Sequence, residues 1–447
     1  MDLWVMSLLL AIAASTTFEK RDSPTVLSAP AFIEARILLI PASSRTNKNQ
    51  QSGYWINISA GTPPQPLSML FNVNTVFSTL MYPVLAQPPC TEECQENLQF
   101  GWFDPSRSSS YESLEDGPDA WGSEMYWYQE GLETLTIDRK QAEGLRFRLV
   151  PLADEFPAVN ELAWRAMYKS LVRQRLIVSS SFSVWNTPGT SDAGILLGGI
   201  NTAKYHGPLH CFPMGLRPAG LGPQVILPVS GIEVQLGNGP SESDTPLSYD
   251  FPEGPFSVRT ADKTNTVTSV PRDAIMQLYR DLEIEWDSFY SRTLIPCSRR
   301  TENHILTFAI GNTTISTPWA AFISDADFSS DPSDMCSFDI HPMDEENSDN
   351  LTGELGLNVV QHMYLVVDHD TEMACVAPLN PNPGPDEILE IGPQLRVPDA
   401  VGEFPSTVTR YAPPTPLVTT VDSMQGAVRT AVPAVAVAGI AGLAFVL

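Results

Sequence analysis

The sequence predicts an all-β fold with room for two lobes, and three observations support this. Residues 54–59 (YWINIS) are typical of a strand, and residues 61–65 (GTPPQ) are typical of a tight turn in which two prolines preset φ. After the turn, Leu67, Met69, Phe71 and Val73 occupy every second position, a period of two that places them on one face of another strand. The 447 residues are also enough to bury two substantial cores.

The opposite face of this second strand carries the candidate functional residues. Asn72 and Asn74 lie there, directly before a run of small and apolar residues that ends at Pro83. No Asp or Glu occurs anywhere in residues 35–91. This segment can therefore supply no carboxylate, whichever register of the strand is drawn.

This layout resembles the first active-site segment of pepsin-like aspartic peptidases, in which a GTPxQ turn leads into a strand ending in Asp-Thr-Gly-Ser. The resemblance implies a bilobal all-β fold with a few short helices, a central interlobe sheet and one catalytic aspartate from each lobe. Depending on the register, Asn72 or Asn74 stands where the family has its first aspartate. The resemblance therefore predicts that this catalytic position is lost.

Further motifs extend the resemblance through the first lobe. Residues 103–111 (FDPSRSSSY), 194–199 (GILLGG) and 204–209 (KYHGPL) are similar to structural segments of the family. The hairpin that includes Tyr126 and Tyr128 resembles the family's substrate-covering flap, although its motif contains one glycine, which predicts a stiffer flap. From Glu161 to Leu176 the apolar spacing predicts a helix.

The second lobe is predicted to supply the other catalytic segment. A helix is expected in residues 269–282 (SVPRDAIMQLYRDL), and the family's second aspartate precedes the proline of such a motif by nine residues. Counting back from Pro271 gives Asp262, which lacks the Thr-Gly that follows the aspartate in the family. With matching segments near 355–358, 364–368 and 374–378, the resemblance covers about residues 54–379.

Two functions remain open from these residues. Pepsin-like hydrolysis needs two carboxylates that share one proton, and an asparagine neither accepts nor gives that proton. The first hypothesis is a protein with impaired or no proteolysis that keeps a cleft for a peptide or protein ligand. The alternative is an active acid endopeptidase that uses Asp262 and a carboxylate not identified in the sequence. Zinc-ligand spacing, a G-x-S-x-G motif and a P-loop are absent from the sequence, so we expect no metal and no cofactor.

Six cysteines and three sequons fit an exported glycoprotein. We expect disulfides Cys90–Cys94 from close spacing, Cys297–Cys336 from the family position, and Cys211–Cys375 because their strands should be neighbours in the sheet that joins the lobes. The predicted glycosylation sites are Asn57, Asn312 and Asn350.

Charge and end segments predict where the protein works. The chain has 52 acidic and 26 basic residues, and the resulting net charge of -26 excludes general affinity for nucleic acid. We also expect a monomer. The predicted segments are a signal peptide (1–15), a leader (16–51), two lobes (52–205 and 206–380), a Pro/Thr-rich stalk (381–429) and a hydrophobic tail (430–447).

The tail predicts attachment to a cell surface. It is apolar to its last residue, and small residues precede it at Ser423, Gly426 and Ala427, which is the arrangement of a GPI-attachment signal. A short membrane span is the alternative, because the tail is close to the lower length limit for one. We therefore expect passage through the secretory pathway and tethering to the cell wall or the outer membrane leaflet.

Overall fold

The computed structural model describes most of the chain between residues 33 and 402. The described ranges are 33–37, 52–73, 75, 77–83, 100–114, 129–137, 140–152, 160–186, 192–216, 223–237, 246–262, 267–288, 292–325, 334–343, 351–392 and 396–402. The statements that follow concern these residues.

Strands dominate the described residues, as the sequence predicts. Those of the first half are β1 Ile33–Ile37, β2 Ser52–Ala60, β3 Gln65–Asn72, β4 Ser78–Pro83, β5 Glu112–Ser113, β6 Gln129–Ile137, β7 Lys140–Leu152, β8 Glu161–Ala163, β9 Ser181–Asn186, β10 Asp192–Leu197 and β11 Gly199–Asn201. Those that follow are β12 Leu209–Pro213, β13 Gly215–Leu216, β14 Pro223–Gln224, β15 Ile226–Gln235, β16 Leu247–Val258, β17 Ala261–Asp262, β18 Thr268–Pro271, β19 Trp286–Asp287, β20 Arg292–Pro296, β21 Ile305–Ile310, β22 Thr313–Pro318, β23 Ile323–Asp325, β24 Met335–Phe338, β25 Ile340–Met343, β26 Gly353–Leu355, β27 Met363–Asp368, β28 Met373–Pro378, β29 Ile388–Glu390 and β30 Ala400–Val401.

Three α-helices lie among the described residues: α1 Trp164–Arg173, α2 Arg272–Asp281 and α3 Leu357–Val360. Helix α2 forms within the predicted residues 269–282 but begins at Arg272, because Thr268–Pro271 forms β18 and pairs with β25. Helix α1 begins later than predicted, because Glu161–Ala163 forms β8 and pairs with β3. Pairing in a sheet has overridden the local helical spacing at this point.

One sheet of 15 strands joins the two halves. Its order is β30-β12-β28-β27-β9-β10-β1-β2-β3-β8-β4-β7-β6-β5, with β17 also paired to β2. A sheet of seven strands (β22-β21-β15-β16-β26-β18-β25) forms the body of the second half, beside a sheet of four (β19-β20-β24-β23). This arrangement agrees with the predicted all-β fold and central sheet.

The turn at residues 61–64 lies between β2 and β3, as the sequence predicts. Gly61 has φ +89, a left-handed conformation that favours glycine. The neighbouring 103–111 segment holds the turn, because Ser109 N donates to Thr62 O at 2.8 Å and the Gln65 side chain bonds both backbone groups of Asp104. The predicted face of β3 is buried, with Leu67, Met69 and Phe71 at 3% exposure or less.

Two of the predicted disulfides are confirmed. Cys211–Cys375 joins directly opposed positions of β12 and β28, and Cys297–Cys336 joins the start of a 3-10 turn to β24. Cys90 and Cys94 lie outside the described residues.

The segment after the second lobe folds back onto the central sheet. We call residues 380–392 and 396–402 the strap. Its β29 pairs with β11, and its β30 runs parallel to β12. Ile391 and Val397 are buried at 0% and 3% exposure in a cluster that contains Cys211 and Cys375. The first part of the predicted stalk is therefore folded onto the body.

Polar contacts hold the strap at both ends. Asp386 accepts hydrogen bonds from Asn201 Nδ2 and pairs with Lys204 Nζ, each at 2.9 Å. Tyr205 donates from its hydroxyl to Asp399 at 3.2 Å. Partial burial raises the pKa of the Asp386 carboxyl, but its contacts with Lys204 and Asn201 outweigh that effect and lower the pKa overall.

We predict that the strap contributes to the stability of the whole body. Replacing Ile391 by Ala should lower the free energy of unfolding by about 2–4 kcal/mol, because it leaves a cavity over the disulfide cluster. Leu389 is the matched control, since its side chain is 43% exposed and its replacement by Ala should cost about 0.5 kcal/mol or less. Chemical denaturation measures the free energy of unfolding of each variant. Equal losses for Ile391→Ala and Leu389→Ala would mean that the strap does not pack as described.

We also predict that three histidines make the fold less stable in acid. Burial lowers the pKa of His341 and His362 to about 4, and burial together with Arg165 and Lys169 lowers the pKa of His369 to about 3. Between those values and about 6.5 the unfolded chain binds protons that the folded chain does not, so these groups reduce stability as the pH falls.

The measurement is the melting temperature from pH 7 to pH 4 in the wild type and in His341→Gln and His362→Gln variants. Each variant should lose less stability in acid than the wild type does, because glutamine does not titrate. The exposed His206, replaced by Gln, is the matched control for the same substitution at the surface. Parallel profiles for all four proteins would contradict the prediction.

Candidate active-site region

Asn72 is the last residue of β3 and the centre of the candidate site. Its amide nitrogen Nδ2 donates to Glu161 Oε1 at 2.6 Å, and its oxygen Oδ1 accepts from the backbone N–H of Thr75 at 3.2 Å. Both ends of the amide are therefore engaged. Asn72 is half-buried, whereas Glu161 is 4% exposed.

Strand pairing brings Glu161 to this position. Strand β8 runs parallel to β3, with Leu70 opposite Glu161 and Asn72 opposite Ala163. Asn160 fixes the entry to β8, since its backbone oxygen accepts from Leu70 N at 2.9 Å and its side-chain oxygen accepts from Met81 N at 2.8 Å. A carboxylate from a distant segment thus reaches a strand end that has none of its own.

The sequence prediction did not include Glu161 among the site residues. The helical spacing of residues 161–176 placed it on a helix, where a charged residue is ordinary. The available signal was a single glutamate inside the short apolar run 158–163 (AVNELA), because a charge in such a run is buried when the run forms a strand.

The second half repeats this local arrangement. Strand β26 runs parallel to β16, and Arg259 N donates to Leu355 O at 3.0 Å, as Leu70 N does to Asn160 O. The two acceptor residues, Asn160 and Leu355, therefore correspond. The residues that follow them, Glu161 in the first half and Gly356 in the second, correspond as well. The acidic side chain therefore occupies a position that the equivalent turn fills with glycine.

The two halves meet next to Asn72. Val73 N donates to Thr260 Oγ1 at 3.2 Å, and Thr260 is 1% exposed. Two residues beyond Thr260, Asp262 lies on β17, where its backbone pairs with Ser52 of β2. Arg259 forms an ion pair with Glu354 on the neighbouring strand β26.

The side chain of Asp262 is outside the described part of the structure, so its role stays a prediction. The two matching backbone hydrogen bonds make Leu70 correspond to Arg259. Two residues further on, Asn72 corresponds to Ala261, and Asp262 is the next residue. Asn74, Tyr126, Tyr128 and Asn350 also lie outside the described residues. The sequon residues Asn57 and Asn312 are exposed.

Tyr54 is a buried ionisable group close to the candidate site. Burial raises the pKa of Tyr54, which lies on β2 opposite Phe71, so its hydroxyl stays protonated. Within the described ranges, no group of three His, Cys, Asp or Glu side chains is placed to hold a metal ion. The hydrogen bond between Asn72 and Glu161 is a polar contact that the structure places at the end of β3.

Comparison with known proteins identifies the family. The model of the eukaryotic aspartyl protease family matches residues 152–379, just over half of the chain. A probable aspartic-type endopeptidase OPSB of Trichophyton verrucosum is 26% identical over 459 residues, covering 91% of this chain and 88% of the relative.

More distant relatives agree with this assignment. A probable aspartic-type endopeptidase opsB of Aspergillus oryzae is 24% identical, covering 77% of this chain and 72% of the relative. Aspartic proteinase yapsin-3 of Saccharomyces cerevisiae is 22% identical, covering 81% and 73%. The described strands form the predominantly β fold that the pepsin-like resemblance implies. The chain therefore belongs to the pepsin-like eukaryotic aspartyl protease family.

Proposed function

We propose that this protein is a secreted, surface-anchored member of the family with impaired or no proteolytic activity and a retained peptide-binding cleft. The observation that carries the proposal is the hydrogen bond between Asn72 and Glu161. It engages Asn72, one of the two positions, Asn72 or Asn74, at which the family resemblance places the first catalytic aspartate.

The chemistry of the pair supports a loss of turnover. A peptidase of this family needs one carboxylate to take a proton from water and another to donate a proton to the substrate. The Asn72 amide does neither. Loss of a general acid or base typically costs about 100- to 10,000-fold in rate, so most of the activity should be gone.

A second candidate is favoured by one specific observation. Glu161 places a carboxylate beside Asn72 although residues 35–91 contain none. An acid endopeptidase could then use Glu161 together with Asp262. The relatives from Trichophyton and Aspergillus carry names of probable endopeptidases, and those names are consistent with this candidate. Burial of Glu161 and its commitment to Asn72 count against it.

We predict that the purified protein does not cleave denatured haemoglobin or casein between pH 2 and pH 6 beyond a matched blank. Wild type, Asp262→Ala and Glu161→Gln should be indistinguishable in this assay. Calorimetric titration with a peptide library should still detect binding by the wild type.

Two results would overturn the first proposal. Pepstatin-sensitive cleavage by the wild type that disappears in both variants would establish the second candidate. A folded protein that neither cleaves nor binds peptides would refute the retained cleft.

The proposed location rests on the ends of the chain. No helix within the described ranges is long and apolar enough to cross a membrane. Residues 430–447, which lie outside those ranges, are apolar and follow the small residues Ser423, Gly426 and Ala427. We propose that they direct attachment of a lipid anchor and that the anchor holds the protein at the cell wall or the outer leaflet.

We predict that phosphatidylinositol-specific phospholipase releases the mature protein from membranes, because the enzyme cuts the proposed anchor between its lipid and the protein. A variant with Ser423, Gly426 and Ala427 all replaced by Leu is the control and should not be released. Recovery of a peptide containing Phe445 from the mature protein would show that the tail is retained and would rule out the GPI anchor.

A further inference from the structure

We propose that Asn72 and Glu161 are a coupled pair. The Asn72 amide always carries the hydrogen that bonds to Glu161, whereas two carboxylates at these positions would have to take that hydrogen from solution as a proton. Asn72 is then a hydrogen-bond donor to the buried Glu161, and Glu161 is a positioning residue for the end of β3. The inference goes beyond the proposed function, since it holds whether or not proteolysis remains.

The orientation of the Asn72 amide is fixed from both sides. The backbone N–H of Thr75 is a donor and must face the amide oxygen, which it reaches at 3.2 Å. The amide nitrogen consequently faces Glu161 Oε1, the acceptor at 2.6 Å. Two independent contacts thus agree on which atom is nitrogen and which is oxygen.

The two side chains have little freedom to separate. Their strands are paired in parallel register, and the Asn160 side chain is itself fixed by Met81 N at 2.8 Å and Gly101 O at 2.9 Å. Water has little access, because Glu161 is 4% exposed. Movement would therefore relieve little of a repulsion between the two groups, and solvent would screen little of it on the Glu161 side.

An aspartate at position 72 would create such a repulsion. Two carboxylates at this range cannot both ionise, so one of them would keep a proton. The folded protein would then bind that proton more tightly than the unfolded chain does. Its stability relative to wild type would consequently rise as the pH falls and decline as the pH rises towards 7.

The pair also makes a prediction about exchange of its partners. Asn72→Asp combined with Glu161→Gln restores one amide and one carboxylate with the donor and the acceptor interchanged. This double variant should not need an added proton. Glu161→Gln alone leaves an oxygen that can accept from Asn72, so its effect should be small at every pH.

The experiment measures melting temperature between pH 4 and pH 7 for the full chain. Asn72→Asp should melt about 4 °C or more below wild type at pH 7, and this difference should shrink towards zero at pH 4. Asn72→Asp/Glu161→Gln should recover at least half of the loss at pH 7 and remove its pH dependence. Asn382→Asp, at an exposed asparagine, is the control and should shift the melting temperature by less than about 1 °C.

The outcomes separate the inference from the proposed function because none of them uses proteolysis as a readout. An Asn72→Asp variant that matches wild type at both pH values would overturn the coupling. The coupling would also be overturned if the change in melting temperature of the double variant equalled the sum of the changes in the two single variants. If Asn72→Asp does not fold at pH 7, two further results still test the pair: whether the variant folds at pH 4, and whether adding Glu161→Gln restores folding at pH 7. If neither restores the fold, the inference is refuted.

Discussion

The pairing of β9 with β27 is the interaction on which the rest of the structure depends. It joins a strand of the first half to a strand of the second, with Val184 opposite Leu365. Tyr364, which is fully buried, ties the two strands further, since its hydroxyl donates to Ser183 Oγ at 2.9 Å and accepts from Asn201 N at 2.7 Å. Because the central sheet is continuous through this pair, each half can present its own active-site segment towards the other, and Val73 meets Thr260.

The central sheet would end in an exposed edge without the strap. Strand β12 pairs with β28 on one side, so its other side would be unpaired without the strap. An unpaired edge is a site for unwanted association with another chain. The strap adds β30 on the other side and covers the Cys211–Cys375 disulfide with Ile391 and Val397. A segment rich in proline thus completes the sheet before the chain continues towards its predicted anchor.

Burial of an acidic side chain explains why the first active-site segment is organised as it is. A buried carboxylate is costly unless hydrogen bonds satisfy it, and the Asn72 amide is a donor that does not depend on pH. The equivalent turn of the second half carries Gly356 and needs no such donor. The buried carboxylate of Glu161 and the amide donor of Asn72 therefore belong to one physical arrangement.

The sequence by itself determined what depends on neighbouring residues. The turn at residues 61–64 and the alternation along β3 follow from proline and from a period of two, both of which act within a few residues. The series of motifs along residues 54–379 was specific enough to indicate the family and the Cys297–Cys336 disulfide, and the expected neighbourhood of two strands indicated Cys211–Cys375.

Only the tertiary structure decided which distant residues meet. Glu161 lies 89 positions from Asn72, and its local spacing favoured a helix, but pairing of β8 with β3 made it a buried strand residue. The strap likewise follows from burial of Ile391 and Val397, whose pattern is too sparse among prolines to predict a packed segment. Contacts between strands far apart in sequence are chosen by the burial and hydrogen bonding of the whole sheet, which no local pattern contains.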